Sequence, residues 1–381
     1  MSEDPTPRDL PELRDLIDRT DRQLIELLGR RRDLVREVAR YKSRHGTPVY
    51  VPEREAALLE ARRAEAQATG VSPDLVEDLL RRIMRESYRA EGDHGFRCVL
   101  PDPAPVVIVG GDGAMGRLLG DYFRRSGYEV RVLDADDWPR AAVILEGAGL
   151  VLVSVPIHDT PAVIAELGPQ LPLDAVLADI TSRKQEPLAA MLAAHPGPVL
   201  GLHPMFGPTV PTLAKQVVVD CGGRHPEASR WVLAQLQIWG ARVVAVTAAE
   251  HDHTMAVVQA LRHFTTFCYG VHLAEEGVDL ATVLALSSPI YRLELAMTGR
   301  LFAQDATLYS DIIFGSREGL ALSKRYLERL QDAVALYRDG DREGFRRQFE
   351  ATRAWFGPLA EGFLKESDVL LDQARDRVDH R

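Results

Sequence analysis

Residues 106–116 read VVIVGGDGAMG, a run of four apolar residues followed by a glycine-rich turn. Gly111, Gly113 and Gly116 give the spacing G-x-G-x-x-G directly after the apolar run. Glycines in this pattern let backbone N–H groups at the start of a helix approach a pyrophosphate. The stretch therefore predicts a strand, a tight turn and a helix that together bind a dinucleotide.

The residues after this turn predict an α/β domain of the Rossmann type and a choice of cofactor. The second predicted strand, 128–133, ends at Asp134. A carboxylate at that place accepts hydrogen bonds from ribose hydroxyls and repels a 2′-phosphate, so NAD is favoured over NADP. A third predicted strand, 150–153, runs into further candidates. The predicted cofactor contacts are Gly111, Gly113, Ala114, Met115, Gly116, Asp134, Ser154 and Pro156.

Two later strands end in residues that suit catalysis. Residues 175–180 lead into Ser182, and residues 199–202 lead into His203. In an open parallel sheet the ligand lies beyond the C-terminal ends of the strands, so topology puts both side chains near the nicotinamide. His203 is a candidate for acid–base chemistry, and a purely structural histidine is the alternative.

Composition limits the classes of protein to which the chain can belong. It has 381 residues, 46% of them hydrophobic and 27% charged, as expected for a globular protein of two or three domains. The net charge of −10 argues against nucleic acid as a partner. No apolar run is long enough to span a membrane, and the N-terminus MSEDPTPRDL is not a targeting peptide. The three cysteines, Cys98, Cys221 and Cys268, indicate a reducing cytoplasm and no metal site.

The residues before the glycine turn predict a separate helical module. Apolar residues recur at three- and four-residue intervals over 9–44, and shorter helices are predicted over 53–68 and from Ser72 to about residue 90. A first helix of this length measures about 50 Å, and the two shorter helices cannot cover it. We therefore expect its apolar stripe to pack against a second copy of the chain, giving an intertwined homodimer.

Basic residues on the first helix suggest an anion site. Arg31 and Lys42 are close to three full turns apart, so they share a face and can hold a small dianion. Arg14 lies about 25 Å before Arg31, so only an antiparallel partner could bring it to the same ligand. The alternative is a set of solvated charges.

The C-terminal part predicts an all-α domain that contributes to substrate binding and dimerisation. From about residue 225 the spacing is helical, apart from a strand at 241–246. One helix is predicted over 250–275, and another begins at Ser288 and carries Arg292 and Arg300. The two arginines could bind separated carboxylates, or they could be surface charges in ion pairs.

Residues 8–91 resemble the all-helical chorismate mutases, through LRDLIDRTDRQLIELLGRRRDLVREVARYK, PVYVPERE and RRIMRESYRAE. The resemblance implies that Arg14 of the partner, Arg31 and Arg54 bind the carboxylates of chorismate. It also implies that Lys42 donates to the breaking ether oxygen, and that Glu55 and Ser87 hold the side of the ring hydroxyl. Some relatives carry an acid at Val51 and glutamine at Glu91. We therefore expect Glu91 to act as a donor, protonated through a raised pKa.

Residues 105–375 resemble the prephenate dehydrogenases, through VVIVGGDGAMGRLL, LVSVPIH, ADITSRK, LGLHPMFGP, AKQVVV, EHDHTMAVVQALRHF and SSPIYRLELAMTGRLFAQD. The resemblance implies that His203 bonds the C4 hydroxyl of prephenate with help from Ser182, and that Arg300 binds the ring carboxylate. It further implies that Arg292 and His263 line the pocket and that Lys184 supports it.

Together these resemblances predict a bifunctional enzyme that converts chorismate to prephenate, and prephenate to 4-hydroxyphenylpyruvate with NAD⁺ and release of CO₂. The expected domains are 1–91 (mutase), 92–104 (linker), 105–220 (Rossmann) and 221–381 (helical). Relatives are inhibited by tyrosine, which is the expected feedback inhibitor. Two alternatives remain: a different Rossmann-plus-helical dehydrogenase with an inert N-terminal dimerisation module, or an N-terminal module that binds an aromatic acid without turnover. Acceptance of arogenate instead of prephenate also stays open.

Overall fold

The computed structural model describes residues 8–375 and falls into two compact units. Unit 1 ends at Ala248, and unit 2 begins at Ala249. In the described part of the chain, none of the helices combines the length and the apolar character needed to span a bilayer.

Unit 1 begins with three helices: α1 (Leu10–His45), α2 (Pro52–Ala68) and α3 (Pro73–Gly92). Asp9 caps α1 by accepting from the backbone N–H of Glu12, and Gly46, in the left-handed conformation, ends it. Ser72 caps α3 ahead of a proline, as its sequence predicts. The predicted helical N-terminal module is confirmed.

A seven-stranded sheet follows, in the order β2-β1-β3-β4-β5-β6-β7. Neighbouring strands are parallel except for β5 and β6, which are antiparallel. The order changes direction at β1, which places the switch point of the sheet between β1 and β3. The strands are β1 (Val106–Val109), β2 (Val130–Leu133), β3 (Leu150–Val153), β4 (Val176–Asp179), β5 (Val199–Pro204), β6 (Val217–Asp220) and β7 (Arg242–Ala245).

Helices cover the sheet and connect it to the N-terminal helices. The α-helices of this part are α4 (Ala114–Arg125), α5 (Ala141–Leu145), α6 (Thr160–Leu167), α7 (Gln185–Ala194) and α8 (Pro226–Ile238). One hydrophobic core contains Leu59 and Met84 of the N-terminal helices together with Leu213 and Trp239 of the sheet domain. Residues 92–104, predicted to be a linker, join this core through the buried Phe96. The mutase-like helices and the sheet therefore share one packed interior.

Unit 2 is helical. Its helices are α9 (Ala248–Met255), α10 (Arg262–Glu275), α11 (Leu280–Leu286), α12 (Pro289–Phe302), α13 (Ala306–Phe314), α14 (Arg317–Asp339), α15 (Arg342–Phe356) and α16 (Leu359–Arg375). A π-helical segment, Ala256–Leu261, interrupts the single helix expected over 250–275. Inserted π turns are frequent at functional sites.

The boundary expected between residues 220 and 221 is too early. Strand β7 pairs with β6, and α8 packs against β5 and β7, so residues 221–248 belong to unit 1. The helical spacing of α8 led to its assignment to the C-terminal domain. Only the pairing of β7 shows that the sheet continues past it.

Candidate active sites

Lys42 and Glu91 form a buried pair between α1 and α3. The Lys42 Nζ atom donates to Glu91 Oε2 at 2.8 Å and to the backbone carbonyl of Val49 at 2.9 Å. Glu91 is 7% exposed. Burial raises the pKa of Glu91 above its usual value, although the nearby Lys42 and Arg31 act in the opposite direction. A protonated donor at Glu91 requires a pKa raised in this direction, and its role as donor stays a prediction.

A second pair lies on the same two helices. Arg31 Nη1 donates to Ser87 Oγ at 2.9 Å, and the Ser87 hydroxyl donates to the carbonyl of Ile83. The positive charge of Arg31 lowers the pKa of Glu91, so Arg31 is near enough to interact with it and the two pairs belong to one charged region. Arg14 and Arg54 are exposed, and in the described part of the chain neither forms a hydrogen bond or ion pair with Lys42, Glu91, Arg31 or Ser87.

Glu55 is held by residues that sequence reasoning did not single out. It is 7% exposed, and its carboxylate accepts from the Tyr88 hydroxyl at 2.6 Å and from Lys215 Nζ at 2.5 Å. Burial alone would raise its pKa, but the bonds from Lys215 and Tyr88 bring the pKa below the usual value. Lys215 could not be found from local spacing, because it lies 160 residues further along the chain.

The glycine turn and the switch point of the sheet enclose a cavity of about 360 Å³. Predicted cofactor residues Gly113, Asp134, Ser154 and Pro156 line it. The rest of its wall, which the sequence did not predict, includes Gly110, Trp138, Val155 and Asp159. The structure thus joins the end of β1, the end of β2 and the residues after β3 around one space, as the topology predicts.

The glycine at position 116 is required by close packing rather than by backbone conformation. A Cβ atom there would lie 2.5 Å from the carbonyl oxygen of Gly110 and 2.8 Å from Cα of Gly111. The close contact lets α4 begin directly behind the turn, where Ala114 and Met115 form its first residues. The N-terminus of α4 can then point its free N–H groups at a pyrophosphate.

Asp134 is oriented by the backbone of the turn. Its Oδ2 atom accepts from the N–H of Asp112 at 2.9 Å, and Asp136 and Asp137 follow it in a short 3₁₀ helix. Three carboxylates at the end of β2 oppose the binding of a 2′-phosphate. The cavity, the glycine turn and Asp134 fit NAD.

The C-terminal ends of β4 and β5 hold the proposed catalytic side chains. His203 lies in β5 and is 4% exposed, and Ser182 follows the adjacent strand β4. Ser182 Oγ is buried and has no hydrogen-bond partner among the described residues. Lys184 is fully buried and donates to Asp179 and to the carbonyl of Leu202.

Unit 2 presents the remaining predicted residues on two helices. His263 lies on α10 directly after the π-helical segment and packs edge-on against Tyr309, with ring centroids 4.8 Å apart. Burial is the main reason that the pKa of His263 falls to about 4. Arg292 and Arg300 lie on α12, which Ser288 caps as predicted. Arg292 is partly buried and Arg300 is exposed.

Three family models match the chain. They are chorismate mutase type II over residues 13–92, the nucleotide-binding domain of prephenate dehydrogenase over 123–245, and the dimerization domain of prephenate dehydrogenase over 247–351. The first match contains both side-chain pairs of α1 and α3, and the second contains His203. The order of the matched domains is the order that the sequence predicts.

Similar proteins extend these matches to nearly the whole chain. A T-protein of Enterobacter agglomerans is 58% identical over 368 residues, which cover 97% of this chain and 98% of that protein. A T-protein of Haemophilus influenzae is 52% identical over 367 residues, covering 96% and 97% respectively.

A solved structure supports the fold alone. The prephenate dehydrogenase from A. aeolicus, in complex with hydroxyphenyl propionate and NAD⁺, covers 68% of this chain and 99% of its own, with 18% identity and a TM-score of 0.54. Identity along nearly the full length of two T-proteins, together with the three matched domains, decides the family. The chain belongs to the T-protein family, and it is a bifunctional enzyme that joins a chorismate mutase to an NAD-dependent prephenate dehydrogenase.

Proposed function

We propose that Lys42, Glu91, Arg31 and Ser87 form the centre that rearranges chorismate to prephenate. The observation that carries this proposal is the buried Lys42–Glu91 pair, with atoms 2.8 Å apart, on the same two helices as Arg31 and Ser87. The rearrangement is pericyclic and needs neither a nucleophile nor a proton transfer. Catalysis therefore consists of holding the chair-like conformer and stabilising charge on the ether oxygen.

Each residue has a distinct task in this centre. Lys42 and protonated Glu91 donate to the ether oxygen as its bond to carbon breaks. Arg31 binds a carboxylate, with Ser87 keeping the guanidinium in place, and Arg54 binds at the exposed side. Glu55 accepts from the ring hydroxyl.

A second copy of the chain completes the mutase site in this proposal. Apolar side chains form an exposed stripe on α1, and each is between 42% and 62% exposed: Leu13, Ile17, Leu24, Leu27, Leu28, Leu34 and Val38. Such a stripe is unfavourable in water unless another surface covers it. A homodimer built on α1 would bury it and would bring Arg14 of the partner subunit to the carboxylates. Sedimentation analysis that finds only a monomer at micromolar concentration would contradict this arrangement.

For the dehydrogenase, we propose that NAD binds in the cavity at the switch point and that His203 is the proton acceptor. NAD⁺, when bound, supplies the acceptor for the hydride that leaves C4 of prephenate. His203 takes the proton of the C4 hydroxyl. The ring carboxylate then leaves as CO₂, and the electrons of its bond to carbon make the ring aromatic. The resulting phenolate recovers the proton from His203, so the protons balance.

Ser182 and Lys184 support His203 in different ways. The buried and unpartnered Oγ of Ser182, at the end of the strand next to β5, can hydrogen-bond His203 or the substrate hydroxyl. Lys184 has no exposed surface and holds the carbonyl of Leu202, the residue before His203. We therefore assign Lys184 to positioning the end of β5, instead of the supporting pocket contact expected from the sequence.

The arginines of α12 bind the carboxylates of prephenate in this proposal. Arg300 orients the ring carboxylate without holding it so tightly that CO₂ cannot leave, while Arg292 and His263 line the pocket. His263 is neutral at physiological pH because of its lowered pKa, so it contributes hydrogen bonds rather than charge.

Replacing Arg31 by alanine tests the function of the N-terminal helices in the full chain. We expect chorismate consumption to fall by at least a hundredfold, while NADH formation from added prephenate stays within about twofold. An inert dimerisation module, or one that only binds an aromatic acid, would show no mutase rate to lose.

Tyrosine is the proposed feedback inhibitor, and the cytoplasm is the proposed location. The free thiols of Cys98, Cys221 and Cys268 support a reducing compartment. Tyrosine should lower the rate of NADH formation from prephenate at saturating NAD. Assays with prephenate and arogenate in parallel would identify the preferred substrate.

A further inference from the structure

The partners of Glu55 come from two different catalytic domains. Glu55 lies on α2, and Tyr88, which donates to its Oε2 atom at 2.6 Å, lies on α3. Lys215, which donates to its Oε1 atom at 2.5 Å, precedes β6 in the sheet that carries the dehydrogenase chemistry. The guanidinium of Arg81 is 3.5 Å from the same Oε1 atom. A side chain assigned to the mutase site is therefore held partly by the dehydrogenase.

The backbone around Lys215 is fixed in an unusual conformation. Its φ angle is +68°, in the left-handed region that residues with a side chain seldom adopt. Its N–H donates to the carbonyl of Gly240 at 3.0 Å, which ties it to the turn before β7. Packing thus maintains a backbone conformation that directs this lysine toward α2.

Aromatic rings guide the side chain of Lys215 to the carboxylate. Its Nζ atom lies 5.2 Å from the ring centroid of Tyr50 and 5.7 Å from that of Tyr88. An ammonium at this distance from the rings is attracted to them. These contacts favour the position of the Lys215 side chain in which it meets Glu55.

The carboxylate of Glu55 retains capacity for a ligand. Its two oxygens offer about four acceptor positions, and Lys215, Tyr88 and the more distant Arg81 use at most three. The remaining position can accept a hydrogen bond from a hydroxyl group that reaches the carboxylate. A neutral glutamic acid at the same place would lose part of this accepting capacity.

We propose that Lys215 is a positioning residue for the mutase reaction, and that it holds Glu55 charged and in one orientation toward the ring hydroxyl of chorismate. The dehydrogenase half of unit 1 thereby completes the mutase site. This inference rests on the proposed role of Glu55 in binding the substrate. The competing explanation is that the Glu55–Lys215 ion pair only stabilises the packing of the mutase helices against the sheet domain.

Three variants of the full-length enzyme distinguish these explanations: Lys215→Met, Glu55→Gln and the double variant. We expect Lys215→Met to raise the KM for chorismate about tenfold or more, the range for losing a hydrogen bond to a charged group. In the Glu55→Gln background the same substitution should change KM less than twofold, because Lys215 acts through Glu55. NADH formation from added prephenate should stay within about twofold throughout.

The pH profile gives a readout that a simple fastening would not change. Burial raises the pKa of Glu55, and Lys215, Tyr88 and Arg81 lower it. Removing Lys215 leaves only Tyr88 and Arg81 to counter the effect of burial, so the pKa of Glu55 should rise. The mutase rate of Lys215→Met should therefore fall as the pH is lowered, because Glu55 becomes protonated. In the wild type Glu55 stays ionised over the same pH range, so its protonation causes no such fall. Lys215→Arg should restore the wild-type profile, and the double variant should lack the acid-side decline.

Gln235→Leu is the matched control. Gln235 joins the sheet domain to the segment that follows α3, since its side chain accepts from the N–H of Val99 and donates to the carbonyl of Arg97, and neither bond involves Glu55. The Gln235→Leu substitution should lower the melting temperature of the enzyme without changing the KM for chorismate or the pH profile of the mutase rate. If Lys215→Met does not fold, Lys215→Gln takes its place, with the same expected acid-side decline.

Three results would overturn the proposal, and they have different meanings. Wild-type mutase kinetics and pH profile in Lys215→Met, with Glu55→Gln impaired, would show that the ion pair only fastens the halves. Wild-type mutase kinetics in Glu55→Gln would remove Glu55 itself from substrate binding, and the assigned site would then be wrong together with the inference. An equal fold-rise in KM on Lys215→Met in the wild-type and the Glu55→Gln backgrounds would show that Lys215 acts independently of Glu55.

Discussion

Replacing Glu91 by glutamine tests the protonation state on which the proposed mutase centre depends. The Glu91 carboxyl faces Lys42 at 2.8 Å and the charge of Arg31, both from α1, and Tyr88 lies near it on its own helix α3. Burial is the largest influence, and it raises the pKa of Glu91. Protonated Glu91 can donate to the ether oxygen. Ionised Glu91 can only accept, and it draws the ammonium of Lys42 to itself.

The sign and size of the pH effect follow from this arrangement. Because the active form carries the proton, mutase kcat/KM is highest below the raised pKa and falls as pH rises through it. Above that pKa, each pH unit lowers the protonated fraction, and hence kcat/KM, about tenfold. Glutamine donates at every pH, so Glu91→Gln should be flat over the interval in which the wild type falls.

The assay is the initial rate of chorismate consumption at low substrate, from about pH 5 to about pH 9, in a buffer of constant ionic strength. Glu60→Gln, which changes an exposed glutamate of α2, is the control and should keep the wild-type slope. A flat wild-type profile would refute the protonated donor. So would a slope that persists unchanged in Glu91→Gln, because the titrating group would then be another residue.

Three further outcomes are expected from single substitutions in the dehydrogenase half. His203→Asn should bind NAD as well as the wild type by titration calorimetry, while NADH formation from prephenate falls about 10²- to 10⁴-fold; near-normal turnover would remove His203 from the mechanism. Gly116→Ala places a Cβ atom 2.5 Å from the carbonyl of Gly110, so the Kd for NAD should rise at least tenfold with the mutase rate unchanged; unaltered NAD binding would show that the turn can relax. Asp134→Asn should lower the ratio of kcat/KM with NAD to kcat/KM with NADP about tenfold, because the side chain no longer repels the 2′-phosphate. An unchanged ratio would assign the discrimination to Asp136 and Asp137.

Local signals account for what could be predicted along the chain. The glycine spacing at 111–116 depends on one strand, one turn and one helix, which are contiguous, so the cofactor cavity was predictable. Helix N-caps such as Ser72 and Ser288 directly precede the helices that they begin, so the first residues of those helices could be predicted from the sequence. Apolar spacing could not assign α8 to a domain, because a helix that covers a sheet and one in a bundle have the same period.

The sequence by itself determined the three modules, their order, the NAD-binding turn and the resemblances that identify both reactions. Only the tertiary structure decided that Lys184 lies beneath the end of β5, that the region 92–104 is packed, and that the sheet extends to β7. It also decided that Lys215 meets Glu55 across 160 residues of chain. The reason is physical: spacing along a chain records contacts within a few turns or strands, whereas a buried ion pair depends on where the whole fold brings two distant segments together.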